Sequence, residues 1–148
     1  MPASVSLDHL HILYRADIGL LVCRWMRQPS RTELEQGYAA ILDAAVTHGC
    51  ARWLIDVRRR DTAFQDATPW MQADFFPRVA ARMPETVLLA YLFAPSHLAE
   101  LEADPAVPSL SYFDGRPYRV QRFIQEQDAM SWLQVGAPPV TASAPASR

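Results

Sequence analysis

The residues best placed to do chemistry are Asp56, Arg58, Arg59 and Arg60, which follow the apolar Trp53-Leu54-Ile55. An apolar run that breaks into a carboxylate and three guanidiniums reads as a buried parallel strand reaching the rim of its sheet. In open α/β sheets the crevice beyond the carboxyl ends of the strands is where ligands usually bind. Arginine's planar fork suits bidentate capture of phosphate or carboxylate, and the free amides of a following helix N-terminus attract anions. Arg24 and Arg27, at the end of the preceding strand, point to the same rim. The opposing reading is a solvated loop in which Arg58, Arg59 and Arg60 pair with Asp56, Asp61 and Asp66, since surface ion pairs are common and weak.

Three tryptophans, Trp25, Trp53 and Trp70, flank this segment and offer a flat surface beside the arginines. Interface centres favour that combination, although core packing is the default for each tryptophan alone. Trp70 is the expected exception, lying in the first turn of a helix beside the rim. His9 and His11 stand two apart and are expected on one side of a strand, too few for a metal site. His48 and His97 read as helix-terminal residues. Tyr112 and Phe113 lie on a loop, either tucked over the sheet edge or free to meet a partner.

Catalytic signatures are missing. The chain has no Gly-x-Ser-x-Gly elbow, no glycine-rich phosphate loop and no His-Glu-x-x-His. All 14 basic residues are arginine, which excludes Schiff-base and P-loop lysine chemistry. Asp56 and Asp61 would make an acid–base pair only if one were protonated, and the flanking arginines keep both ionised. A non-enzymatic role without cofactor or metal is the expectation.

The elements that position these residues follow from periodicity. His9 to Arg15 and Ile18 to Met26 read as a β-hairpin. Ser30 and Glu33 form a capping box before a helix with Leu34, Tyr38, Ile41, Leu42 and Ala45 on one face, stopped by Gly49. After the Trp53–Val57 strand, Thr68-Pro69 starts a helix that buries Met71, Phe75, Val79 and Met83 and is kinked or divided at Pro77. Thr86 to Phe93 is a strand, Ser96 caps a short helix to Ala103, and Tyr118 to Ile124 is an edge-like strand. Asp128 caps a last helix over Ala129 to Leu133.

The expected fold is therefore a single α/β domain with a mostly parallel five-stranded sheet, in the order β-β-α-β-α-β-α-β-α, its first strand antiparallel. Residues 1–8 read as a lead-in, 9–134 as the domain and 135–148 as a disordered tail rich in Ala, Pro, Ser and Thr. A net charge of −2 gives no reason to expect nucleic acid or an anionic membrane. No apolar stretch is long enough for a membrane span, and no secretory signal is evident. Cys23 and Cys50 suit small buried thiols in a reducing cytosol, so a cytoplasmic protein is expected.

This element order, the strand ending in Asp56 and the closing Glu126-Gln127-Asp128-Ala129-Met130-Ser131-Trp132-Leu133 resemble the STAS-like (SpoIIAA-like) proteins. The likeness spans about residues 9–134. It implies a regulatory or protein-interaction module, a homodimer among the candidates, with Asp56 at the position of the family's strand-end aspartate. In the anti-sigma-factor antagonists a serine in the next loop is phosphorylated. Here arginines fill that loop, and the nearest hydroxyls are Thr62 and Thr68. The wider superfamily also resembles lipid carriers. The rival expectation is thus a small-molecule or lipid binder that seats an anionic head on the arginines and an apolar body under the second helix.

Overall fold

The computed structural model describes residues 4–60, 70–103 and 113–135, the side chain of Val135 excepted. Thr62, Thr68, Asp61, Asp66, Tyr112 and the tail from Gly136 lie outside the described residues. Six strands form one sheet in strict sequence order: β1 (Ser4–Ser6), β2 (Leu10–Arg15), β3 (Leu20–Trp25), β4 (Arg52–Asp56), β5 (Val87–Leu92) and β6 (Tyr118–Phe123). β1, β2 and β3 pair antiparallel, and β3 to β6 pair parallel. The α/β class and the antiparallel start are as expected. The strand count is not.

The extra strand lies where a lead-in was expected. Ser4-Val5-Ser6 is too short to announce itself by pattern, and its order comes from pairing with Leu13, Ile12 and His11. The turn closing this first hairpin runs through Leu7 and Leu10, which exchange backbone hydrogen bonds. It also carries His9, which therefore precedes β2 instead of lying in it. The second hairpin turns at Gly19, whose φ of 67° is the left-handed conformation glycine adopts freely.

Helix α1 (Arg31–His48) is bounded as the sequence implies, with both capping-box hydrogen bonds between Ser30 and Glu33 and a left-handed Gly49 after it. Its buried stripe includes Gly37, against which Trp25 packs so closely that a Cβ there would lie 2.4 Å from the indole tip. Proline at position 77 divides the second helix. A π-helical turn (Met71–Phe75) runs into α2 (Phe76–Arg82), with Pro77 in the first turn, where its missing N–H costs little. The expected buried residues Met71, Phe75, Val79 and Met83 are all inside.

Helix α3 (Pro95–Ala103) starts with proline, so Ser96 lies within the first turn and does not cap it. Helix α4 (Glu126–Val135) likewise begins two residues before Asp128. Phe113 is tucked in against Phe76 and Tyr118, settling its place on the core.

The connections between successive parallel strands put their helices on the same face. α1, the π turn, α2 and the apolar side of α3 share one core with Trp25, Trp53, Ile55, Leu89 and Tyr91. Among the described residues α4 alone covers the opposite face, over Leu20, Val22, Leu54, Leu88, Ala90 and Leu92. Among the described residues the strand order shows no reversal, and so no switch-point crevice of the kind that commonly receives ligands. No described helix is long and apolar enough to cross a membrane.

Candidate functional site

Alternation along a strand sends neighbouring residues to opposite faces, and it separates the arginines that the sequence groups together. Arg24 and Asp56 are register partners on β3 and β4 and face α4. Asp56 Oδ1 accepts from the backbone N–H and Nε of Arg58, both at 3.0 Å. Its Oδ2 accepts from Arg58 Nη2 at 2.8 Å and Arg24 Nη1 at 2.9 Å. Arg24 also grips Glu126 at the start of α4, at 3.0 and 3.2 Å.

Two guanidiniums and two carboxylates thus close on one another. Burial pushes the Asp56 carboxyl up, but the hydrogen bonds from Arg58 and Arg24 together outweigh it and hold it below the ordinary carboxylate range. Asp56 stays ionised and fully engaged, which makes it a poor general acid and its arginines poor receivers of an added anion. The ion-pair reading of the loop holds for Arg58.

Arg27 leaves the rim as well. It binds the Glu33 carboxylate with two hydrogen bonds of 2.8 and 2.9 Å, and with the Ser30 amide this lowers Glu33 to about 2. Arg59 is exposed and reaches the Met26 sulfur.

Arg60 takes the other direction. After Val57 the chain turns, the Arg60 amide donating to the Val57 carbonyl at 3.1 Å. The Arg60 side chain then enters the α1 face, 4% exposed, with its guanidinium 5.1 Å from the centre of the Trp25 ring. Tyr38 on α1 and Tyr91 on β5 meet there hydroxyl to hydroxyl at 2.8 Å. Burial raises both phenols, Tyr91 strongly, with the Arg60 charge opposing, so the pair is neutral near pH 7. Trp70 and Phe75 pack on Tyr38, and His9 stacks on Trp25 at 6.0 Å.

The structure therefore brings Trp25, Arg60 and Trp70 to one side, and Arg24, Asp56 and Arg58 to the other. Trp53 does not reach the rim: it lies early in β4, and its indole N–H donates to the Cys50 carbonyl. His9 and His11 do not share a face, because His9 is buried in its turn whereas His11 is exposed on β2. His48 stacks on Tyr14, and His97, expected at a helix end, is buried beside Phe93.

Sequence reasoning missed Glu126 as an ion partner, 102 residues from Arg24, and missed the Tyr38–Tyr91 pair. A signal for the tyrosines existed. Each occupies a position its element buries, and a buried phenol needs a partner. No three-residue cluster of metal-ligating side chains occurs among the described residues. No family model, no curated protein and no solved structure matches this chain.

Proposed function

We propose that this chain is a non-enzymatic binding domain that receives a small anionic molecule with an apolar body on the α1 side of its strand ends. The observation that carries this reading is Arg60, a cation buried over Trp25 among Tyr38, Tyr91 and Trp70. The guanidinium lies over the indole face and within hydrogen-bonding reach of Tyr38, a polar centre in an otherwise aromatic wall. The sequential strand order and the strand-end aspartate support a STAS-like type for the domain.

Calorimetric titration with naphthoate tests the site. Binding should weaken at least tenfold in Arg60→Gln and survive in Arg59→Ala, with circular dichroism confirming that both variants fold. Equal binding by both variants would remove the site from Arg60.

A second reading, contact with another protein or a second copy, is favoured by one observation. Leu13, 42% exposed, lies on β2, whereas α4 packs on β4, β5 and β6. If that surface carries a contact, a concentration-dependent size in solution should disappear in Leu13→Asp.

A further inference from the structure

Helix α4 has the attributes of an element that two chains can trade. It is the last described element, and it follows β6, the outermost strand of the sheet. Only Ile124 and Gln125 join the two, a connector at the short end of its kind. The helix packs on β4, β5 and β6. Ala129 and Leu133 are fully buried on the sheet, with Met130 and Trp132 partly buried beside them. Its polar anchor is its first residue. Glu126 accepts from Arg24 at 3.0 and 3.2 Å and stands 3.6 Å from Arg58. All these groups lie on the helix side of the connector, so the α4 of a second copy seated on this sheet would repeat every contact.

The connector is where the closed chain and the exchanged pair differ. Ile124 is a large apolar side chain, and it is 43% exposed. A short hinge loop invites exchange of the element it carries. In a two-fold exchange the two connectors pass each other at the axis. β6 has no strand beyond it among the described residues, so its end is open to a second copy. There each Ile124 meets its counterpart, and its apolar surface leaves water only in the dimer. We propose that two copies of this chain form a two-fold dimer by exchanging α4, Glu126 of each pairing with Arg24 of the other. The exchange is independent of the ligand reading, and it uses a surface other than that of Leu13.

The test is refolding of the full chain at high protein concentration, followed by native mass spectrometry. The unaltered protein should give a dimer. A Gly-Ser-Gly-Ser insertion between Ile124 and Gln125 lets α4 close easily on its own sheet and should give a monomer. Ile124→Asp should reduce the dimer, whereas Leu13→Asp should leave it unchanged. Joint refolding of Arg24→Glu with Glu126→Arg reads the exchange itself. Each variant alone sets like charges against each other, and only an exchanged mixed pair has opposite charges at both contacts. The mixed dimer should exceed its statistical share severalfold. A monomer from the unaltered protein, a dimer that ignores the insertion, or a mixed dimer at no more than its statistical share overturns the exchange.

Discussion

At the same strand ends, the two faces of this sheet treat arginine in opposite ways. On the α4 face Arg24 and Arg58 are spent on Asp56 and Glu126, charge against charge, and the side chains stay partly in water. On the α1 face Arg60 sits under aromatic rings, with two neighbouring nitrogens lacking partners. The first arrangement joins a helix to a sheet. The second leaves the Trp25 Nε1 and His9 Nε2 atoms without hydrogen-bond partners among the described residues. Only three residues of chain separate Asp56 from Arg60, so proximity in sequence says little about shared purpose.

The comparison breaks most sharply at Asp56. Asp56→Ala strips both arginines of their central partner and should destabilise the domain by about 2 kcal/mol, between the values for buried and exposed pairs. The midpoint of chemical denaturation reads this directly. Gly37→Ala strikes the other face by forcing a Cβ against Trp25, and should cost about 1–2 kcal/mol by overpacking. It should also weaken naphthoate binding, which Asp56→Ala in its folded state should not. Glu126→Gln, at a half-exposed position, should cost only about 0.5 kcal/mol. Its clearer trace should be faster amide exchange in α4, with α1 unchanged.

The smallest effect expected is one of pH. Glu33 and Asp56 both have carboxyls lowered on folding, Glu33 to about 2. Their stabilisation is complete above the ordinary carboxylate range and is lost as pH falls toward the folded values. Stability measured from pH 5 down to pH 2 should therefore decline, and Glu33→Gln should flatten that slope.

Local signals were legible in the sequence wherever they decide structure locally. Ser30, Glu33 and Gly49 bounded α1, and the apolar run into Asp56 placed β4 at the rim. Pro77 divided its helix for the reason the missing N–H predicts. What stayed hidden depends on distant partners. β1 exists because β2 offers it hydrogen bonds, and three residues carry too little pattern to show that. The facing of Arg58 and Arg60 depends on a turn after Val57, which a run of identical residues cannot encode. Likewise, the burial of His9 follows from the hairpin turn, which displaced it from the strand that its spacing to His11 suggested.

The sequential strand order has a consequence for how the chain folds. Each strand pairs only with its neighbour in sequence, so the sheet can grow one unit at a time as the chain emerges, without waiting for a distant strand. Helix α4 is the exception. Its Glu126 must come back across 102 residues to Arg24, and until it does Leu20, Val22, Leu54, Leu88, Ala90 and Leu92 stand without the helix that covers them. In a chain that folds from its N-terminal end this face is the last to be covered, and uncovered apolar sheet is prone to stick to other chains.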